Sequence, residues 1–230
     1  MTSFTGRNVV VTGGTGALGS AVVDALVKAG ARCIIPYRDE KDAKRLQDRD
    51  GVTLISIRDL ADETEVARLY KDASPLWASI HIAGGYLWGP VADTDKAKAQ
   101  AQIDMNFMSC FLCCRAAINA MGGSGGRIVN IAARPALEWR AGANMSAYGA
   151  AKAAVAALTV AVSEEVAKDG ILVNAVAPSI MDTPTNRKDM PKADSDKWPK
   201  VEEVAATIVF LASPENRVTR GAIVPVYGKS

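Results

Sequence analysis

The sequence predicts the α/β class, a doubly wound parallel sheet of about seven strands with helices on both faces. Short β-branched runs alternate with amphipathic stretches along the chain. Most of these runs do not alternate apolar with polar residues, which is typical of parallel strands covered on both faces. A glycine-rich turn follows the first run and leads directly into a helix-like segment. Repeated β-α units of this kind indicate right-handed crossovers within one sheet.

The individual elements follow from these patterns. Amphipathic segments near 17–29, 40–49, 62–72, 95–121, 145–168 and 201–212 predict helices. Since no low-complexity linker and no repeat divides the chain, residues 1–230 are expected to form one domain. The predicted strands are Asn8–Thr12, Arg32–Pro36, Thr53–Ile57, Ser79–Ala83, Arg127–Ile131, Leu172–Ala177 and Ile223–Val226.

Composition excludes several classes of partner. The chain has 230 residues, 49% of them hydrophobic, and a net charge of +2. Such a charge gives no polyelectrolyte signal for nucleic acid or an anionic membrane. The N-terminal residues lack the apolar stretch of a signal peptide, and we expect no window long and apolar enough to span a bilayer. The sequence therefore predicts a soluble cytoplasmic protein without a nucleic-acid or membrane partner.

The cysteines predict buried thiols and no metal site. Cys110, Cys113 and Cys114 lie at helical spacing in an apolar run, and Cys33 lies in a predicted strand. Zinc sites usually combine paired cysteine motifs with nearby histidines, whereas the single histidine, His81, is distant in sequence. We therefore expect these cysteines to behave as small hydrophobic residues.

The glycine-rich turn predicts a phosphate-binding site. The first strand runs into Thr12–Gly19, and the amphipathic segment Ser20–Ala29 follows at once. Glycines allow backbone N–H groups to approach a pyrophosphate, and the helix N-terminus adds partial positive charge. Strand, glycines and helix in this order indicate a dinucleotide-binding sheet of the Rossmann type.

The end of the second predicted strand bears on the choice of cofactor. An acid there would bind the ribose hydroxyls of NAD, but Tyr37 stands in its place. Arg38 can pair with a 2′-phosphate and stack on adenine, which favours NADP(H). Asp39 and Glu40 follow closely and could serve the ribose instead, so NAD(H) is the alternative.

A further carboxylate follows the third predicted strand. Asp59, in Arg58-Asp59-Leu60, is placed to meet the adenine amino group of a bound nucleotide. The alternative role for Asp59 is to cap the helix that starts near Asp62.

Tyr148 and Lys152 form a candidate proton-transfer pair. A spacing of four residues puts both side chains on one face of a helix, one turn apart. A lysine ammonium beside a phenol stabilises the phenolate, so we expect the pKa of Tyr148 to be lowered toward neutral pH. The same lysine can hold the nicotinamide ribose.

With these motifs, the chain resembles the short-chain dehydrogenase/reductase family over nearly its whole length. The resemblance implies that Tyr148 is the general acid for reduction, and that Lys152 tunes its pKa and binds ribose. It also implies that Asn106 holds a water in a proton relay, the alternative being a buried helix residue bonded to backbone. The matching segments are Thr12–Gly19, Asp59-Leu60, Ala83-Gly84-Gly85, Asn106, Ile128–Ile131, Tyr148 with Lys152, Asn174–Pro178 and Thr183-Pro184.

The same resemblance completes the expected cofactor site, in which Ile180 and Thr183 would meet the carboxamide. The residues expected to bind cofactor are Gly13, Thr15, Gly16, Ala17, Leu18, Gly19, Arg38, Asp59, Leu60, Ala83, Gly84, Gly85, Tyr148, Lys152, Pro178, Ile180 and Thr183.

Three positions depart from the family pattern. The family usually has glycine at Ala17, with serine at or near Gly16, and glycine after Pro178, where this chain has Ser179. More importantly, Ala133 occupies the place of the catalytic serine. Ser146, two residues before Tyr148, is expected to be a helix cap and not a substitute.

The missing serine leaves two interpretations. Segments such as Gly16–Ser20, Ala83–Tyr86 and Asp182–Pro191 are similar to the dihydropteridine reductase branch, which also lacks the serine and reduces an electron-poor quinonoid pterin. The first interpretation is therefore a reductase of a small carbonyl or quinonoid/imine-type substrate. The alternative is a catalytically impaired nucleotide-binding sensor or scaffold. Intact Tyr148 and Lys152 argue against that alternative.

The substrate site is expected beyond the carboxyl ends of the strands. Aromatic residues there could stack a flat ring, and Arg134 could hold an acidic group. For Trp139 the alternative is a contact between subunits or loop packing. The segment near 180–200, rich in Lys, Asp and Pro, is expected to be a mobile substrate lid. The candidate substrate residues are Tyr86, Trp88, Ala133, Arg134 and Trp139.

The resemblance also implies assembly through two long helices, here Asp95–Met121 and Met145–Lys168. Their Ala, Met and Cys content suits close helix packing, so we expect a homodimer or homotetramer.

Overall fold

A parallel sheet forms the centre of the computed structural model, which describes residues 3–230. Its strands are β1 Asn8–Thr12, β2 Arg32–Tyr37, β3 Val52–Ser56, β4 Leu76–His81, β5 Gly126–Ile131, β6 Ile171–Pro178 and β7 Ile223–Val226. They lie in the order β3-β2-β1-β4-β5-β6-β7, and every neighbouring pair is parallel. The predicted fold class is thereby confirmed.

Helices cover both faces of the sheet. Buried residues of α1 and α9 pack on one face, and those of α3, α5 and α7 pack on the other. The helices are α1 Ala17–Lys28, α2 Glu40–Ala43, α3 Glu63–Lys71, α4 Lys96–Ile103, α5 Ser109–Met121, α6 Arg134–Leu137, α7 Ser146–Glu165, α8 Pro184–Asp189 and α9 Val201–Ala212. Apolar strands buried on both sides explain why the sequence shows runs and not alternation.

Most predicted bounds differ from the structure by only a residue or a few, but three elements differ more. Strand β4 was expected at 79–83 but ends at His81, because the chain then leaves the sheet and Ala83 N bonds the Thr12 side chain at 3.2 Å. The helix expected over 40–49 is wrong beyond α2, since the chain turns there and Asp48 has a φ of 58°. The long helix expected over 95–121 is interrupted by a π-helical turn at Asp104–Met108.

The strand order reverses between β1 and β4. From β1 the sheet grows in one direction to β2 and in the other to β4, so the connections that leave these strands diverge. A crevice therefore opens at their carboxyl ends, where open α/β sheets bind ligands.

Helix α7 corrects one expectation about the membrane. By length and composition it is apolar enough to cross a bilayer, so the expectation that no window approaches that length is wrong. Its apolar character has a packing cause, because Val155 and Val162 are buried against the sheet and Thr159 is fully buried.

Candidate active site

The predicted phosphate turn lies between β1 and α1 with the expected backbone geometry. Gly13 has a φ of +69°, and a Cβ on Gly19 would lie 2.0 Å from the Gly13 carbonyl oxygen, so no side chain fits there. The N-cap of α1 is Gly16, which offers no side-chain acceptor, and the first turn contains no acidic residue. The N-terminal amides of α1 are therefore suited to an anion.

A cavity of about 470 Å³ opens beside this turn. It lies at the crevice between β1 and β4, and its walls come from the ends of the first four strands. Of the predicted cofactor residues, those that line it are Gly13, Thr15, Gly16, Ala17, Leu18, Gly19, Arg38, Asp59, Leu60, Ala83 and Gly84. The predicted residues that do not line it are Gly85, Tyr148, Lys152, Pro178, Ile180 and Thr183.

The cavity also contains residues that the sequence analysis missed. Met105 reaches it from the turn before α5 and Ser109 from the first residue of α5, and Ile82 directly precedes the predicted residue Ala83. Arg45, also missed, donates from Nη2 to the carbonyl oxygen of Thr15 at 2.6 Å and supports the phosphate turn from outside. The strand-end rule could have found Ile82, whereas no sequence signal points to Arg45.

At one end of the cavity, Arg38 shares the lining with two carboxylates, Asp39 and Asp59, that already accept hydrogen bonds from the backbone. Arg38 is exposed and forms none of the ion pairs found among residues 3–230. Asp39 caps α2 by accepting from Lys41 N at 2.8 Å. Asp59 accepts from Ala61 N at 2.9 Å and does not cap α3, because Asp62 is that cap. The alternative capping role for Asp59 is thus wrong.

Lys152 is anchored at the inner side of the site. Its ammonium donates to the carbonyl oxygen of Ile131 at 2.7 Å, and the side chain is buried. A Cβ added to Gly84, which lines the cavity, would lie 3.6 Å from Lys152 Nζ. The ammonium also lies 5.9 Å from the Tyr148 ring centroid. Helical spacing on α7 thus brings the two side chains together, and the Lys152 ammonium lies next to Gly84 at the cavity wall.

Burial, and not mutual attraction, controls the protonation of this pair. Burial lowers the pKa of Lys152 to about 8. Burial, with a smaller contribution from Tyr86, raises the pKa of Tyr148 to about 12. The pKa of Tyr148 thus lies above its ordinary value because burial disfavours the phenolate, and the expected lowering toward neutral pH is not found. At neutral pH Tyr148 is a protonated phenol.

Asn106 lies in the π-helical turn and holds the loop after β4. Its Nδ2 donates to the carbonyl oxygen of Gly85 at 2.9 Å, and Gly85 N donates back to Oδ1 at 3.3 Å. A further bond runs from Nδ2 to the carbonyl oxygen of Gln102 at 3.0 Å. The side chain thus has the backbone contacts of the alternative interpretation, and the water-relay role stays a prediction.

The position at which the family has its catalytic serine is buried in this chain. Ala133 is buried and directly precedes α6. Ser146 does not replace it, and its predicted capping role is also wrong, because Met145 is the N-cap of α7 and makes no side-chain cap bond. Ser146 instead lines a separate groove of about 620 Å³.

The candidate substrate residues divide into two groups. Tyr86 meets the Tyr148 ring edge-on, with ring centroids 5.8 Å apart, and both Tyr86 and Trp88 are 58% exposed. Trp139 is 80% exposed and lines the separate groove, whose walls include Gly149 but not Tyr148. Arg134 pairs with the Glu138 carboxylate at 2.7 Å, and so it is not free to bind an acid without breaking that pair.

The segment near 180–200 contains the short helix α8 and is held by local hydrogen bonds and an ion pair. Thr183 caps α8 by accepting from Asn186 N at 3.1 Å. Asp182 pairs with Arg187 at 2.5 Å, and Trp198 is buried. The Thr183 hydroxyl expected at the carboxamide is therefore engaged in a cap, while Ile180 is 46% exposed.

His81 lies close to the cysteines in the structure, although it is distant from them in sequence. All four cysteines are buried, as predicted. His81, though 33 residues from Cys114 in sequence, has its Nδ1 3.6 Å from that thiol. Sequence distance was misleading, because the end of β4 lies under α5.

Comparison with known proteins gives one consistent family. The family model described as short chain dehydrogenase matches residues 7–194. Galactitol 2-dehydrogenase of Rhizobium johnstonii is 32% identical over 240 residues, covering 96% of this chain and 93% of the relative. Cis-4-hydroxycyclohexanecarboxylate dehydrogenase of Sinomonas cyclohexanicum is 32% identical over 243 residues, covering 98% and 97%.

Solved structures that are similar to this chain are described as members of the same family. A short-chain type dehydrogenase/reductase from Mycobacterium ulcerans has a TM-score of 0.88 at 26% identity, covering 99% of this chain and 90% of that one. A short chain dehydrogenase/reductase family protein has a TM-score of 0.91 at 30% identity, with coverage of 98% and 97%.

Proposed function

Since the chain belongs to the short-chain dehydrogenase/reductase family and is an NAD(P)-dependent oxidoreductase, we propose that it reduces a small carbonyl or quinonoid/imine-type substrate, with Tyr148 as proton donor. The observation that carries the proposal is the position of Lys152 Nζ. It is fixed by Ile131 and lies beside Gly84 at the cavity wall, one helical turn from Tyr148.

The nicotinamide cofactor, when bound, supplies the hydride. The residues fit such a group, because the amides at the start of α1 suit its pyrophosphate and the cavity continues to Gly84 beside Lys152. Protonated Tyr148 donates its hydroxyl proton to the substrate atom that gains negative charge. The alkoxide or nitrogen anion left after hydride transfer is more basic than a phenolate, so a pKa of about 12 is low enough for this donation. The Lys152 ammonium then stabilises the phenolate across the short separation seen here.

Ala133 bears on the substrate class. A serine hydroxyl in this place would donate to a reacting carbonyl oxygen, and the buried alanine methyl cannot. A flat C=N or quinonoid ring needs that donor less, and exposed Tyr86 and Trp88 offer surfaces on which to stack it. We therefore favour the quinonoid/imine class over simple ketones.

The test is NADPH oxidation with quinonoid dihydropterin, quinones, cyclic imines and ketones. Faster turnover of a flat C=N or quinonoid compound than of any ketone supports the proposal, and the reverse order contradicts the preference. Tight nicotinamide binding without turnover of any compound favours the alternative, a sensor or scaffold, which the missing hydroxyl at Ala133 motivates.

We propose NADP(H) as the preferred cofactor, with NAD(H) as the alternative. Exposed Arg38 lines the cavity, while the Asp39 carboxylate is engaged at α2. A charge-assisted hydrogen bond is worth about 1.5–3 kcal/mol, or roughly 10–100-fold in affinity. We expect Arg38→Ala to weaken NADPH binding by about that factor and to leave NADH binding nearly unchanged.

Fluorescence titration of both cofactors checks this. Arg32→Ala is the matched control, because Arg32 is exposed at the opposite end of the same strand. Equal loss of NADPH and NADH affinity in Arg38→Ala would contradict a 2′-phosphate contact.

We also propose assembly into a homodimer or homotetramer through α5 and α7. Phe111 and Val160 on these helices are 39% and 46% exposed, which is unusual for such apolar side chains if they face water. Light scattering should give a multiple of the 24.2 kDa chain mass, and a monomeric mass would refute the proposal. The cytoplasmic location stays a prediction.

A further inference from the structure

A cluster of potential ligands lies beneath α5, outside the residues used above. His81 ends β4, and Asn130 lies opposite it in β5. Cys110 and Cys114 face these two residues from successive turns of α5. We propose that His81, Cys110 and Cys114 form a binding site for a thiophilic divalent ion of the zinc group, with the Asn130 amide oxygen as fourth ligand.

The distances from Cys114 fit tetrahedral coordination, whereas His81 Nδ1 and Asn130 Oδ1, now 2.8 Å apart, would have to separate when both bind the ion. The His81, Cys110 and Cys114 ligand atoms all lie within 4.8 Å of one another. Cys114 Sγ is 3.6 Å from His81 Nδ1 and 3.5 Å from Asn130 Oδ1. Zinc bonds of about 2.3 Å to sulfur and about 2.0–2.1 Å to nitrogen place those two ligands roughly 3.5 Å apart at a tetrahedral angle. The Cys114 and His81 atoms already have that separation.

Neighbouring groups orient the oxygen ligand. Thr159 Oγ1 donates to the Val155 carbonyl oxygen at 2.8 Å, so it accepts from Asn130 Nδ2 at 2.9 Å. This bond fixes the amide so that Oδ1 points at the cluster. Oδ1 is an acceptor for the His81 ring and the Cys114 thiol, and it can equally face a cation.

The histidine is supported in the same way. On its other side, His81 Nε2 lies 2.8 Å from Ser79 Oγ and 3.2 Å from the Tyr70 hydroxyl. In the metal-free cluster Nδ1 carries the proton and donates to Asn130 Oδ1. Metal binding selects the other tautomer, in which Nε2–H donates a hydrogen bond to one of these hydroxyls and the Nδ1 lone pair is available to the ion. Ligating histidines are usually held by such a bond from the second nitrogen.

Charge and burial are compatible with a dication. His81, Cys110 and Cys114 are 3%, 5% and 2% exposed, so an unbalanced charge would be strongly unfavourable. Binding releases the two thiol protons, and two thiolates neutralise the dication, so the loaded site is neutral. Ser109, the residue before Cys110, lines the cofactor cavity.

The chain provides matched controls. Cys113 is buried on the same helix, and Cys33 is buried in β2, but neither belongs to the ligand cluster. General thiol chemistry would involve them equally, whereas a site of defined geometry would not.

The experiment titrates the reduced full-length protein, stripped with a chelator, with Cd²⁺ alone. We expect a thiolate-to-cadmium charge-transfer band that saturates at one ion per chain and is reversed by Zn²⁺. Cys110→Ala and Cys114→Ala should lose the band or bind at least about 10-fold more weakly, the lower end for loss of a ligand-supporting or ligand group. Cys113→Ala and Cys33→Ala should keep it.

Folding of each variant is checked by circular dichroism without metal. If an alanine variant at Cys110 or Cys114 fails to fold, X-ray absorption of the zinc-loaded wild type decides, with two sulfur and two nitrogen or oxygen neighbours expected. No band in the wild type, a band retained in both cluster variants, or a zinc shell without sulfur overturns the proposal. The test uses no substrate, so its outcome is independent of the proposed function.

Discussion

Replacing Lys152 by methionine should stabilise the protein at neutral pH. The folded state holds this ammonium out of water, and burial lowers its pKa from the ordinary 10.5 to about 8. The difference of 10.5 − 8, about 2.5 units, corresponds to about 3 kcal/mol at about 1.36 kcal/mol per unit. Methionine removes that penalty, fills a similar volume and is readily accommodated in a core.

One loss opposes this gain. The variant leaves the Ile131 carbonyl oxygen without its 2.7 Å donor, which costs about 1 kcal/mol. We therefore expect a net gain of about 2 kcal/mol near pH 7, or a rise in Tm of roughly 4–8 °C for a chain of this size.

The pH dependence distinguishes this cause from better packing. Below pH 8 both folded and unfolded chains carry the Lys152 proton, and the wild type bears the whole penalty. Between pH 8 and 10.5 the unfolded chain binds the proton more tightly, so wild-type stability rises relative to the variant as pH increases. The advantage of Lys152→Met should therefore shrink across this window.

Urea unfolding of both proteins from pH 7 to 10.5 measures the difference. Lys168→Met, at an exposed lysine just beyond the same helix, is the control and should change stability by less than about 0.5 kcal/mol. A Lys152→Met protein that is less stable at pH 7, or whose advantage is independent of pH, refutes the reasoning.

Two further substitutions test other parts of the site. Gly19→Ala places a methyl group 2.0 Å from the Gly13 carbonyl oxygen, so we expect NADPH affinity to fall at least about 10-fold. At Gly16 the nearest atom to an added methyl group is 3.4 Å away. Gly16→Ala should therefore have a smaller effect in the same titration. Asn106→Ala removes the paired bonds to Gly85 and should lower the free energy of unfolding by about 1–3 kcal/mol, measured in urea; an unchanged midpoint would show that those bonds do not hold the loop.

Local patterns predicted much of the fold. Strands β1 and β7 have the expected bounds, because short β-branched runs are a strong strand signal, whether buried as in β1 or partly buried as in β7. The phosphate turn was also predictable, since Gly13 has a positive φ and Gly19 packs against the nearby Gly13 carbonyl oxygen. Helical spacing alone placed Tyr148 and Lys152 together.

Features set by distant packing could not be predicted in this way. The pKa of Tyr148 depends on burial by the folded chain, which the spacing to Lys152 does not reveal. The contact of His81 with Cys114 depends on how α5 lies over β4. The early end of α2 likewise has no clear sequence signal, since the residues after Ala43 are acceptable helix formers.

The most direct test of the central claim is the rate of substrate reduction in Tyr148→Phe. The best compound from the substrate panel is used with saturating NADPH, and NADPH affinity is measured separately. We predict that turnover falls by about 10²–10⁴-fold, the scale of a lost general acid, while NADPH affinity changes little. Tyr86→Phe, on the ring that contacts Tyr148, serves as the control and should retain most of the turnover. Unchanged turnover in Tyr148→Phe would contradict its role as proton donor.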